Sequence, residues 1–127
     1  MASTARLLAA EGRLRAVGDP VDAAIVLAAH ESGLTGDGLV EGQRPLRELP
    51  FDPVRKRMAL VYGGDDGRHL YVKGAPEVVL ERSTLSADES AAIETVAVEW
   101  ASSGLKVLAV AERRLPETPL DDEALEH

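Results

Sequence analysis

Arg57-Met58-Ala59-Leu60-Val61-Tyr62, Gly63-Gly64-Asp65-Asp66-Gly67 and His69-Leu70-Tyr71-Val72-Lys73 together decide the fold class. Arg57 to Tyr62 alternates in polarity and carries β-favouring residues, as does His69 to Lys73. The Gly/Asp cluster between them has the composition of a tight turn, so the stretch predicts an antiparallel β-hairpin. Antiparallel pairing puts the start of one arm beside the end of the other. Lys56, just before the first arm, thereby becomes a neighbour of Lys73, at the end of the second.

Upstream, Leu46-Arg47-Glu48-Leu49 predicts a short strand before Pro50, and Gly33, Gly36, Gly38, Gly42 and Pro45 predict a loop over residues 33–45. Gly18-Asp19-Pro20-Val21-Asp22 predicts a helix start, with Asp19 as N-cap, Pro20 at the first helical position and Asp22 meeting the positive helix end. The helix that follows is given a buried stripe of Val21, Ala24, Ile25 and Ala28. Residues 3–15, rich in Ala, Leu and Arg, predict another short helix with Leu7, Leu8 and Leu14 on one face.

Downstream, Pro76 opens a short helix and Ser86-Ala87-Asp88-Glu89 is a capping box for a longer one. Ile93, Val96, Ala97 and Trp100 form a core-facing stripe on that helix, and Gly104 ends it. Leu105 to Ala111 predicts a central strand because it is nearly continuous in apolar character. From Pro116 the chain is acidic and is expected to fray. Leu125-Glu126-His127 reads as the beginning of a C-terminal histidine tag. That reading makes the chain one domain over residues 1–124, with a core from about 4 to 116, cut from something larger. Helices and antiparallel strands in this order give an α+β domain, an antiparallel sheet flanked by helices.

Composition limits the function. The 127 residues carry a formal net charge of -8, which disfavours nucleic acid and anionic membranes as partners. No cysteine is present, so disulfides, thiolate nucleophiles and cysteine metal sites are excluded. No apolar run approaches the roughly 18 residues of a membrane span. No P-loop, dinucleotide fingerprint or nucleophile with an activating base is present, and no metal site is expected. The Asp65-Asp66 pair is read as turn-forming rather than metal-binding.

Three segments carry candidate chemistry. The only phenylalanine, Phe51, opens Phe51-Asp52-Pro53-Val54-Arg55-Lys56-Arg57-Met58, a cationic run in an acidic chain. A lone aromatic beside cations suits a planar anionic ligand, the ring stacking on it and Lys56 meeting its charge. The competing reading places Phe51 in the core and the cations in solvent. In Lys73-Gly74-Ala75-Pro76-Glu77, a lysine ends a strand, Gly74 and Ala75 allow close backbone approach to a ligand, and the lysine is to be satisfied either by a bound anion or by a carboxylate, with Glu77 as one internal candidate. Asp22 offers a carboxylate to a ligand amino group, or is simply part of the helix start.

Lys73-Gly74-Ala75-Pro76-Glu77 is similar to a signature of the nucleotide-binding domain of P-type cation-transporting ATPases. Phe51 to Met58 resembles that family's phenylalanine-led segment ending in Arg-Lys-x-Met. Gly18 to Asp22 resembles its Gly-Asp-Pro-Thr-Glu segment. Gly104-Leu105-Lys106-Val107-Leu108-Ala109-Val110-Ala111 resembles its Gly-Leu-Arg-x-Leu-Ala-x-Ala strand. The order is that of the calcium, magnesium and sodium/potassium branch.

The resemblance implies ATP as ligand, with Phe51 stacked on adenine and Lys56 beside the nucleotide. It places Lys73, Gly74 and Ala75 in the inner pocket, Asp22 near the adenine amino group and Lys106 toward phosphate. Asp22 is one methylene shorter than the usual glutamate, and Lys106 lacks the bidentate geometry of arginine. The family's phosphorylated aspartate motif, Asp-Lys-Thr-Gly-Thr, is absent from the sequence. The implied chain is therefore a non-catalytic cytoplasmic part of a membrane pump, and a monomer is expected because no large apolar stripe is left over once the helices are packed. It would present Mg-ATP to a phosphorylation domain that holds the metal, with an actuator domain as further partner. The alternative is a regulatory or protein-interaction module that keeps the fold without binding nucleotide.

Overall fold

The computed structural model describes residues 6–10, 13–17, 20–33, 42–122 and 125. The chain divides into two compact units, residues 1–43 and 44–127. In the first, β1 (Arg6–Ala10) pairs antiparallel with β2 (Arg13–Val17), and α1 (Pro20–Glu31) follows. The helix expected over residues 3–15 is thus replaced, over its described part, by strands. Helix propensity is a weak prior, and five cross-strand pairs from Arg6↔Val17 to Ala10↔Arg13 override it. The alternation of Arg13-Leu14-Arg15-Ala16, preceded by Gly12, is the signal for a strand. The α1 helix forms as expected, although Ala24 and Ala28 of its proposed stripe are exposed. Its small apolar residues lie all around it, so no face is singled out. Asp19 falls outside the described residues.

The second unit is a four-stranded antiparallel sheet in the order β3 (Arg44–Asp52), β4 (Arg57–Gly64), β5 (Gly67–Gly74), β6 (Ala109–Leu115). The β4–β5 hairpin closes at Gly64↔Gly67 around Asp65-Asp66, and Gly67 takes the positive φ (109°) that the tight turn needs. Its inner positions alternate: Ala59, Val61 and Leu70 are buried on one face with Leu115 and Leu125, and Leu49, Val72 and Leu120 pack against them. Val61 is 1% exposed. Burying such a side chain contributes about 1.5–3 kcal/mol.

The β3 strand starts at Arg44, inside the stretch expected as loop, of which residues 34–41 lie outside the described residues, and it runs beyond Leu49 through Pro50 to Asp52. It lies at the sheet edge, where Pro45 and Pro50, which cannot donate a ladder hydrogen bond, are tolerated and blunt edge-to-edge pairing. The strand expected at Leu105–Ala111 begins only at Ala109 and is the opposite edge rather than central. The apolar hairpin takes the centre, and Leu105 and Val110 are exposed.

Between β5 and β6 lie α2 (Pro76–Leu80) and α3 (Ala87–Ser102). The α3 capping box forms as expected: Glu89 N–H donates to Ser86 Oγ at 3.3 Å, and Ser86 N–H donates to Glu89 Oε2 at 2.9 Å. The Ser86 N–H, and then the Ser86 hydroxyl donating to the same oxygen at 2.7 Å, hold the Glu89 carboxyl below the usual carboxylate range. At the other end Gly104 (φ 84°) makes a Schellman cap, with Leu105 N–H donating to Trp100 O at 3.1 Å. The stripe expected to face the core is exposed at Ile93, Val96 and Trp100. Periodicity shows that a helix has an apolar face, not that anything covers it.

The tail does not fray over its described part. Thr118 O accepts from Arg68 Nη1 at 2.8 Å, Arg47 pairs with Asp122, and Leu125 is 4% exposed. Residue 125, set aside in the sequence as tag, is therefore part of the core.

Candidate functional site

Pro53 and Asp52 shape the segment that carries the cations. Asp52 Oδ1 accepts from Val54 N–H at 2.7 Å and Arg55 N–H at 2.9 Å, closing a side-chain turn over Pro53. Those two backbone bonds, Arg55 first, hold the Asp52 carboxyl below its ordinary value, helped by the charges of Arg55 and Arg57. Lys56 N–H then donates to Asp52 O at 2.7 Å. Lys56 is the only described non-glycine residue with positive φ, at 53°. A lysine in this region is uncommon and costs of order 1 kcal/mol, so the turn holds it there.

The three consecutive cations consequently part company. Arg55 lies in the turn, Lys56 is exposed, and Arg57 starts β4 at 6% exposure on the Ala59–Val61 face.

Phe51 sits at a bulge. Leu49 pairs with Ala59 and Asp52 with Arg57, so Pro50 and Phe51 together stand against the single residue Met58. Bulges re-aim side chains beside functional sites. Here Phe51 is 61% exposed, which excludes the core reading. Met58 pairs with Lys73, and Lys73 with Val110. Phe51 and Lys73 thus lie on one row across the sheet, two strands or roughly 10 Å apart. Lys73 is buried, at 7% exposure.

The next row joins the second motif to the first. Arg57 pairs with Gly74, and Ala75 N–H donates to Lys56 O at 3.1 Å. A Cβ on Gly74 would lie 2.5 Å from Lys56 O and 2.9 Å from Arg57 Cα. The close approach that requires this glycine is to the chain's own backbone, where the sequence suggested a ligand. Glu77, expected to partner Lys73, reaches Lys56 instead, with Nζ–Oε1 at 3.6 Å. Both side chains are more than half exposed, so the pair contributes little to stability and yields readily to a competing anion.

Farther along the Lys73 side of β5, Tyr71 and His69 converge on Glu112, a grouping the sequence did not suggest. Tyr71 OH donates to Glu112 Oε1 at 3.3 Å, and His69 Nδ1 lies 2.6 Å from the same oxygen. His69 Nε2 sits 3.1 Å from Asp66 Oδ2, at ion-pair distance but without hydrogen-bond alignment. Burial, then the Glu112 charge, raises the Tyr71 phenol above its ordinary value. Only the β5–β6 register, Tyr71↔Glu112, brings these residues together.

The profile of the family described as "P-type ATPase, cytoplasmic domain N" matches residues 1–127. The chain belongs to this family. The N domain is 32% identical over 120 residues to a calcium-transporting ATPase of Bacillus subtilis (strain 168), covering 84% of this chain and 14% of that protein. It is 35% identical over 105 residues to the cation-transporting ATPase pma1 of Synechocystis sp. (strain ATCC 27184 / PCC 6803 / Kazusa), covering 76% of this chain and 12% of that protein. The N domain thus spans about one-seventh or less of these relatives.

Of the residues singled out in its sequence, the N domain brings Phe51 and Lys73 into one row of the sheet and Gly74 into the next, with Ala75 and Lys56 hydrogen-bonded just beyond the strand ends. Lys106 is exposed in the segment leading into β6, ahead of the strand where the sequence placed it. Asp22 is in the first turn of α1, in the other unit. No described helix is long and apolar enough to cross a membrane.

Proposed function

We propose that this N domain holds ATP by its adenosine end and presents it to a phosphorylation domain elsewhere in a cation-transporting P-type ATPase. The observation that carries this reading is the register row Phe51–Met58–Lys73, an exposed ring beside a lysine on a rigid sheet. Phe51 offers one face for the adenine to stack on, a contact worth about 1–3 kcal/mol for a base on an aromatic side chain. Lys56, held at the turn and only loosely engaged with Glu77, exchanges that partner for nucleotide negative charge. Lys73, with Gly74 and Ala75 fixing the strand end, lines the inner side. Lys106 is a second-rank contact, a point charge toward phosphate.

ATP supplies the transferable phosphoryl group, and the residues of this chain bind and orient it. The motif residues provide no nucleophile, so transfer and Mg²⁺ coordination fall to other domains of the parent protein. The actuator domain and the transported cation likewise belong to that parent.

One ring and a few cations on an open face give weak binding. Amide shifts on titration with ATP should centre on Phe51, Lys56 and Lys73. Absence of any shift at millimolar ATP overturns the binding reading. Unchanged ATP affinity in a folded Phe51→Ala chain favours instead a module that keeps the fold for protein interactions.

A further inference from the structure

Lys56 and Glu77 are brought together by backbone rather than by their own attraction. The Asp52 turn holds Lys56 at positive φ (53°), where its N–H donates to Asp52 O at 2.7 Å. Its carbonyl accepts from Ala75 N–H at 3.1 Å. Both backbone polar groups of Lys56 are thus engaged, one with each motif. Ala75 is the N-cap of α2, and Glu77 lies in the first turn of that helix. Gly74, with no Cβ to hold the two strand ends apart, lets this crossing close. The lysine side chain is left beside the Glu77 carboxylate, with Nζ 3.6 Å from Oε1.

This contact does little for the fold. The two side chains are 59% and 56% exposed, and an exposed ion pair shifts an equilibrium by at most about fivefold. The carboxylate of Asp52 serves the turn itself, accepting from Val54 and Arg55 N–H. Glu77 is the carboxylate that answers the Lys56 charge. A carboxylate set against the cation that meets nucleotide is a built-in competitor. A neutral ligand offers Lys56 nothing stronger than Glu77 and leaves the pair intact. A polyphosphate brings several negative charges to the same ammonium and displaces it.

We propose, resting on the nucleotide reading above, that Glu77 is an internal competitor which sets the charge selectivity of the site. It holds Lys56 against neutral and singly charged ligands and gives way to the phosphates of a nucleotide. Glu77 is a positioning residue: it acts through the Lys56 ammonium. Its presence weakens nucleotide binding and in return makes the gain from Lys56 depend on the charge of the ligand.

The test is a set of titrations of the full chain with adenosine, AMP and ATP, followed by the amide shifts of Phe51 and Lys56. Glu77→Gln keeps the shape of an exposed side chain and should leave the melting temperature unchanged. It should raise ATP affinity about threefold, the scale of an exposed ion pair, raise AMP affinity less, and leave adenosine affinity as it was. In a Lys56→Gln chain the same substitution should lose most of its effect on ATP, which separates action through Lys56 from direct repulsion of phosphate. No gain for ATP, an equal gain for adenosine, or an undiminished gain in the Lys56→Gln chain overturns the proposal. The wild-type chain gives a second measurement that needs no variant to fold. The side-chain carboxyl carbon resonance of Glu77 should move on saturation with ATP and stay in place with adenosine, and a resonance that ATP leaves unmoved overturns the proposal. No shift anywhere at millimolar ATP overturns the nucleotide reading and this inference together. ATP binding that depends on Phe51 but is indifferent to Glu77→Gln overturns this inference alone.

Discussion

The two faces of the four-stranded sheet are made by different means. Phe51, Met58 and Lys73 share one register row on one face, each within a short local motif. The other face joins Ala59, Val61, Leu70, Leu115 and Leu125 into a core and gathers Arg57, Arg82 and Arg113 from distant positions. The first exposes its aromatic ring at Phe51 while burying Lys73 and Leu60. The second excludes water and holds the unit together. The exposed Phe51 ring can therefore be removed with little cost to folding, and residues that serve the core cannot.

The largest effect that tests this contrast is Leu70→Ala, at 4% exposure in the core face. It should lower stability by about 3 kcal/mol in urea unfolding, from lost burial and the cavity left behind. A loss below about 1 kcal/mol would remove the distinction between the faces. Gly74→Ala comes next, at about 2 kcal/mol or more, because its new Cβ meets backbone of Lys56 and Arg57 rather than a movable side chain. Thermal unfolding checks it, and an unchanged midpoint would mean that the two motifs are not held together at this crossing.

Phe51→Ala sharpens the comparison from the other side. With the ring 61% exposed, stability should change by no more than about 0.5 kcal/mol. ATP affinity should fall about tenfold, as expected when one base loses its aromatic platform. The smallest effect is the pH dependence of the Asp52 turn, which positions Lys56. The folded-state carboxyl lies below its ordinary 3.8. Its stabilising contribution is thus complete above that value and lost as pH falls through the depressed one. Melting curves from pH 7 to 2 should show a shallower acid decline for Asp52→Asn than for the wild type, and parallel declines would remove the role assigned to the turn.

Much of the site was legible because it is local. The cationic run that ends at Lys56 and the strand-ending Lys73-Gly74-Ala75-Pro76 are read from neighbouring residues. The hairpin that joins them follows from alternation and a Gly/Asp turn. The partner of Glu77 was not legible. Lys56 and Lys73 are both near it in any plausible hairpin, and only the positive φ at Lys56 and the burial of Lys73 separate them. Nor was the Tyr71–His69–Glu112 grouping, which depends on the β5–β6 register across two intervening helices.

By itself the sequence determined the β4–β5 hairpin, the caps of α3 and the family. These rest on short-range periodicity and on residue types that few backbone conformations accept. Tertiary structure alone decided which strand was central, that residues 6–17 pair as strands, that the α3 stripe stays uncovered, and that Leu125 belongs to the core. Those outcomes depend on which surfaces compete for burial once the chain is compact. That competition is settled by contacts between residues far apart in sequence, and no local pattern encodes it.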